Sequence, residues 1–150
     1  MSVIYQMVIA NLDDTTDVPG RVLDVPGGNT APFTPIIIYQ PNGGDNQLWN
    51  FEPVLDDPGF FWIGNKKSQL LLTAPTNPGG QVFQLGNNAS DLQMWQFVPA
   101  NDVLRRANYI VNKHTGLVLD IKGDTIENGT PVIQYQLNHG KNQQWYGGPR

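Results

Sequence analysis

Two aspartates, two tyrosines and four asparagines recur in this 150-residue chain at one constant separation, and together they offer a chemistry that none has alone. Asp24, Ile37, Tyr39, Asn42, Asn46, Gln47 and Trp49 return 96 residues later as Asp120, Ile133, Tyr135, Asn138, Asn142, Gln143 and Trp145. A carboxylate accepts two hydrogen bonds at once with charge-assisted strength, which suits the vicinal hydroxyls of a sugar ring. A carboxamide adds a donor and an acceptor, and an aromatic face covers the apolar C–H face of the sugar. Asp24 and Asp120 are the candidate acceptors, Asn46 and Asn142 the candidate amides, and Tyr39 and Tyr135 the candidate stacking rings. Asn42 and Asn138 lie in the same loops. The competing reading is that each aspartate merely ends a strand and caps a turn. Linkage to Tyr and Asn by the same spacings in two copies favours binding, with carboxylates that face solvent. On that expectation, removing either one leaves the melting temperature nearly unchanged.

His139 follows Tyr135 by four residues, where the first copy has Gly43, and is either a sugar contact or a solvated loop histidine. His114 sits in a turn-like Lys-His-Thr-Gly stretch and receives no role. Neither histidine has a nucleophile or metal partner by spacing. The absence of cysteine excludes disulfides, thiolate metal sites and thiol nucleophiles. No catalytic residue, metal or cofactor is expected.

These residues are carried by an internal repeat. Gln47-Leu48-Trp49, Gln93-Met94-Trp95 and Gln143-Gln144-Trp145 share a Gln-x-Trp core, 46 and 50 residues apart. Upstream of each lies an apolar segment, Val22–Val25, Leu71–Ala74 and Val118–Ile121. Further upstream come segments ending in Asn11, Asn65 and Asn112. The middle copy departs at the three chemical positions, with Thr73 for aspartate, Leu85 for tyrosine and Leu92 for asparagine. It is not expected to bind in the same way, and its shorter loop is available for packing or dimer contact. The tryptophans read as core, one large ring per repeat. The glutamines beside them are expected to satisfy local backbone near a turn.

Four short β-branched or aromatic runs per copy, bounded by Gly, Pro, Asn and Asp, predict twelve strands. They fall at about Tyr5–Ala10, Val22–Val25, Ile36–Gln40 and Leu48–Pro53, then Phe60–Asn65, Leu70–Ala74, Gln81–Leu85 and Met94–Val98. The third set is about Tyr109–Asn112, Val118–Ile121, Val132–Gln136 and Gln144–Gly147. One helical turn is expected within Asn101–Asn108, capped by Asp102. Sixteen glycines, 12 prolines and only 15% charged residues fit a turn-rich all-β chain. Residues 1–150 read as one domain with repeats at about 1–53, 54–100 and 101–150. Three homologous groups of four strands reach closure as a pseudo-threefold β-trefoil, which hides the strand edges.

The three Gln-x-Trp repeats make the sequence similar to the ricin B-type lectin family over essentially its whole length. The stretches Tyr39–Gln47 and Tyr135–Gln143 resemble its small fungal members most. The resemblance implies sugar sites built from the equivalent Asp, aromatic and Asn positions, and hence galactose- or N-acetylgalactosamine-type glycans as partners. Plant members place Gln two residues before the aromatic, whereas Ile37 and Ile133 stand here and can contribute only backbone. A cross-linking role in defence follows from resemblance alone.

The formal charge of −4 and the absence of a basic stripe argue against nucleic acid. Apolar runs fall far short of the roughly 20 residues of a membrane helix, so no membrane insertion is expected. The first twenty residues show no basic start or cleavage signal, which predicts cytoplasmic synthesis and any release by a non-classical route. The sequons at Asn88 and Asn128 read as chance without a secretory peptide. A glycoside hydrolase needs two carboxylates roughly 5–10 Å apart. In a domain of this size, with a radius of gyration of about 15 Å, two rim sites lie roughly 25 Å apart. The adjacent acid pairs Asp13–Asp14 and Asp56–Asp57 read as solvated turns. An enzyme is therefore not expected, and a protein-binding trefoil such as a protease inhibitor is the rival class. A third reading makes the chain the targeting module of a larger toxin or hydrolase, and a homodimer would double its site count.

Overall fold

The computed structural model describes residues 3–11, 20–100 and 107–149. The expected helical turn lies mainly at 101–106, outside the described residues, and Asn108 opens a strand instead. The acid pair Asp13–Asp14 also lies outside them. The strands are β1 Ile9–Ala10, β2 Val22–Asp24, β3 Ile37–Tyr39 and β4 Trp49–Pro53 in the first repeat. The second repeat holds β5 Phe61–Asn65, β6 Leu71–Thr73, β7 Phe83–Leu85 and β8 Trp95–Pro99. The third holds β9 Asn108–Asn112, β10 Val118–Ile121, β11 Val132–Tyr135 and β12 Trp145–Tyr146. No strand of the described residues is long, and each matches an expected run with ends displaced by a few residues at most.

Six strands close a barrel. β4 pairs with β5 and β8 with β9 over five residues each, while Phe61↔Trp95 and Trp145↔Asn108 close the second and third repeats on themselves and Ile9↔Tyr146 joins the first repeat to the third. The ring shuts where Gln6 and Trp49 exchange backbone hydrogen bonds of 2.9 and 2.8 Å. The remaining strands form three antiparallel hairpins, β2–β3, β6–β7 and β10–β11, that cap one end. At the centre of the cap Ile36 N donates to Val82 O, Val82 N to Val132 O and Val132 N to Ile36 O, at 2.9, 3.0 and 3.0 Å. This triangle gives the threefold correspondence residue by residue. The trefoil architecture read from the repeats is the fold observed.

Closure is driven by burial. Trp49, Trp95 and Trp145 are fully buried, and each indole N–H donates to a carbonyl of the second strand in its own repeat. The acceptors are Leu23 O at 3.0 Å, Leu72 O at 2.9 Å and Leu119 O at 3.2 Å. A buried indole without a partner would carry its desolvation cost uncompensated, so this bond fixes the distance between the last strand of each repeat and its hairpin. Leu23, Ile38, Leu72, Leu119 and Ile121 fill the space between. At the other end Phe97 meets Phe51 and Phe61 edge-on, with centroids 5.1 and 6.0 Å apart.

Strand alternation then decides which residues each hairpin turns outward. In β2–β3 the pairs Val22↔Tyr39 and Asp24↔Ile37 share one face while Leu23↔Ile38 face the core. Val118↔Tyr135 and Asp120↔Ile133 repeat this in the third hairpin. The middle hairpin presents Leu71↔Leu85 and Thr73↔Phe83 instead.

Candidate functional site

In the first repeat, the hairpin face carries Asp24 diagonally across from Tyr39, and the turn after β3 folds back over the carboxylate. That turn ends in a short 3₁₀ segment, Asp45–Gln47, which delivers two carboxamides. Gln47 Nε2 donates to Asp24 Oδ2 at 2.8 Å, and Asn46 Nδ2 reaches the same oxygen at 3.4 Å. Gln47 also ties the turn together: Nε2 donates to Gln40 O and Oε1 accepts from Asn42 N, both at 2.9 Å. Asn46 Nδ2 donates a second bond to Val25 O at 2.9 Å. In the third repeat Gln143 Nε2 meets Asp120 Oδ2 at 2.8 Å and Asn142 Nδ2 meets Oδ1 at 3.3 Å. Gln143 again binds Gln136 O and Asn138 N, and Asn142 binds Ile121 O.

The carboxylates are not the solvent-facing groups expected from the sequence. Asp24 is 3% exposed and Asp120 4%, because the Gln and Asn of the following turn lie across them. Desolvation pushes both carboxyls above the usual aspartate range, and the Gln hydrogen bonds partly offset it. Asp124 adds repulsion at Asp120. Burial is not sealing, however. Among the described residues the only fully enclosed side-chain polar atom without a partner is Trp62 Nε1. Asp24 Oδ1 carries no hydrogen bond among the described residues and is absent from that class, so it keeps a narrow contact with solvent. The amide oxygens of Asn46 and Asn142 are likewise unbonded and open, their nitrogens being spent on the aspartate and the backbone. The first and third repeats therefore each combine a carboxylate clamped by neutral amides, an unbonded amide oxygen and a tyrosine that is 36% exposed at Tyr39 and 46% at Tyr135.

The other candidates separate from this set. Asn42 Oδ1 accepts from Gly44 N at 2.9 Å and Asn138 Oδ1 from Gly140 N at 2.8 Å. Asn88 does the same for Ser90 N in the middle repeat, which has no acid, so this asparagine serves the turn in all three copies. Ile37 and Ile133 stand directly opposite the aspartates as cross-strand neighbours. His139 adopts a left-handed conformation, φ 64°, as do Gly43 and Ala89 at the equivalent positions. Its Nδ1 lies 3.2 Å from the Tyr109 hydroxyl, so its ring is held by β9 and not by Asp120.

The middle repeat keeps the clamp and loses its cargo. Gln93 Nε2 donates to Gly86 O at 2.8 Å and to Thr73 Oγ1 at 3.3 Å, while Thr73 donates to Leu71 O. Leu92 packs into the core where the other repeats hold asparagine. The glutamines thus satisfy backbone as expected, and the part missed was their grip on the acid. The shared spacing of 23 residues from Asp24 to Gln47 and from Asp120 to Gln143 was the signal. No group of His, Cys, Asp and Glu among the described residues could hold a metal ion.

The sequence matches the family described as ricin-type beta-trefoil lectin domain-like over residues 9–85, 45–135 and 91–149. The chain belongs to that family. Among solved structures this lectin-like trefoil is similar to ThreeFoil, a designed threefold-symmetric protein, with 30% identity and a TM-score of 0.83. The match covers 94% of this chain and 95% of ThreeFoil. It is also similar to the Rhizoctonia solani agglutinin, at 27% identity and a TM-score of 0.75 over 97% of this chain and 94% of that one. An exo-β-1,3-galactanase from Clostridium thermocellum matches 97% of the chain at 27% identity and a TM-score of 0.82. The trefoil spans only 30% of that enzyme's chain. No curated protein matches the sequence.

Proposed function

We propose that the protein is a non-enzymatic lectin with two shallow sites, in the first and third repeats, for galactose- or N-acetylgalactosamine-type glycans. The observation that carries this reading is the same glutamine-clamped carboxylate, beside an unbonded amide oxygen and an exposed tyrosine, in two hairpins and not in the third. Vicinal sugar hydroxyls donate to Asp24 Oδ1 or Asp120, the Asn oxygen accepts a further hydroxyl, and the tyrosine covers the C–H face. The likeness to an agglutinin over nearly the full length of both chains supports glycan cross-linking.

A site this open binds weakly alone, with millimolar to tens-of-micromolar dissociation constants, about −4 to −6.5 kcal/mol. Useful affinity for a cell surface comes from both sites engaged together. Calorimetric titration of galactose and N-acetylgalactosamine into Asp24→Asn, Asp120→Asn and the double variant tests the reading. Asparagine keeps the volume and an acceptor for the glutamine, so the fold is retained. The site count should fall from two to one in each single variant and to none in the double. Unchanged binding by the double variant rejects the assignment.

A further inference from the structure

The threefold triangle of Ile36, Val82 and Val132 aligns three loop positions that the sequence spacing hides: Phe33, Gly79 and Gly129. All three have left-handed backbone, φ 65°, 78° and 88°. All three donate their amide to the same place on the neighbouring hairpin: Phe33 N to Gln84 O, Gly79 N to Gln134 O and Gly129 N to Ile38 O, at 2.7, 2.8 and 2.9 Å. Two repeats use glycine, for which this conformation is free of strain. The first uses phenylalanine, for which it is strained, and leaves that side chain 66% exposed. Neither burial nor backbone geometry explains the choice.

The ring is aimed at the hairpin that lost its acid. Phe33 lies 5.5 Å from Phe83, tilted by 31°, and Phe83 stands opposite Thr73. With Leu71 and Leu85 on the same strand face, the middle repeat presents an apolar surface where the other two present carboxylates. Its one polar group is already used, since Thr73 Oγ1 donates to Leu71 O and accepts from Gln93. The supporting loop is held rigidly. Gln84 Nε2 donates to Asn29 O and Ala31 O, Ser68 Oγ donates to Gln84 Oε1, and Thr34 Oγ1 donates to Ala31 O.

We propose that Phe33, Phe83 and Leu85, backed by the buried Thr73, form a third binding site, for an uncharged aromatic ring and not a polyhydroxylated one. Thr73 is 3% exposed and its hydroxyl proton is committed to Leu71 O, so it gives a sugar no donor, and no charged side chain belongs to the set. Size argues against a second copy of the chain. An aromatic side chain carries about 150–250 Å², so the exposed part of Phe33 with its half-buried neighbours offers far less than the roughly 800 Å² per partner of a stable dimer. One ring seated on two preset rings matches that area. The site is independent of the carboxylate sites and does not require them to bind glycans.

Protein-observed NMR titration with 2-naphthol, a neutral ring without sugar, tests this. Saturable shifts should centre on Phe33, Thr73, Phe83 and Leu85, persist in Asp24→Asn/Asp120→Asn, and weaken at least about tenfold in Phe33→Gly, the loss expected when a stacked ring is removed. Because glycine is the residue of the other two repeats, Phe33→Gly should not lower the melting temperature. A marked drop in melting temperature would make Phe33 a structural residue and overturn the proposal. So would the absence of saturable shifts, or shifts that survive Phe33→Gly. A wild-type dimer in sedimentation that Phe33→Gly converts to monomer would assign the patch to self-association instead.

Discussion

Gln47 Nε2 donates to Asp24 Oδ2 at 2.8 Å, and 96 residues later Gln143 holds Asp120 through the same atoms at the same distance. The glutamine of each Gln-x-Trp repeat is thereby both a turn brace and the donor that keeps a buried carboxylate ionised and aimed. Removing it strips the acid of its strongest partner. Gln47→Leu should destabilise the fold by about 1–3 kcal/mol, the cost of a buried acceptor and two backbone groups left unpaired. It should also remove one of the two glycan sites. Urea unfolding and calorimetry on the same sample measure both effects.

Burial of the aspartates changes the expected price of truncating them. Asp24→Ala leaves the Gln47 amide short of a partner and opens a small void, so a loss of about 1–2 kcal/mol is expected. Asp24→Asn should lose less stability while losing the site just as completely. Thermal melts of the pair, run beside the titrations, separate the structural from the binding contribution.

The tyrosines carry the opposite balance, being largely outside the core. Tyr39→Ala or Tyr135→Ala should weaken glycan affinity at its own site by about tenfold, equivalent to about 1.4 kcal/mol of ring contact. Stability should change little, within about 0.5 kcal/mol for an exposed position. Single-site affinities measured in the background of the opposite Asp→Asn variant report each ring separately.

The raised carboxyl pKa values set a pH dependence with a definite sign. Burial raises Asp24 and Asp120 above 3.8, so between the unfolded and folded pKa the native state binds more protons than the unfolded state. Stability therefore rises as pH falls through the folded pKa, since protonation relieves the buried charge, and the gain is complete below the unfolded value. Glycan affinity moves the other way, because the protonated acid loses one acceptor oxygen. It should be full at neutral pH and lost on acidification at a pH above that of an ordinary aspartate. Asp124 repels Asp120, so Asp124→Asn should extend binding at the third-repeat site to lower pH and leave the first unaffected. Titrations from pH 7 downward check both.

Much of this was legible in the sequence because a closed barrel of three lobes demands the same residue at the same depth in each. The tryptophans announce the core, and the constant offset between Asp24 and Asp120 announces that two hairpins share a surface. Burial of those acids was not legible. It depends on the turn at 45–47 folding back across the strand end, which no periodicity within β2 records. Asn42 and Asn138 looked like site residues because they recur with the acids, yet Asn88 shows that the turn alone demands them. Phe33 was hidden for a different reason. Its counterparts are glycines, and only the hydrogen bonds at the threefold centre reveal that the three positions are one.

The most direct test of the two-site account is a residue-resolved NMR titration of the wild-type protein with N-acetylgalactosamine. The account predicts saturable shifts in two clusters, Asp24, Tyr39 and Asn46 in one and Asp120, Tyr135 and Asn142 in the other, with Thr73, Leu85 and Leu92 unmoved. Saturable shifts centred on the middle hairpin, or none at either aspartate, would contradict it.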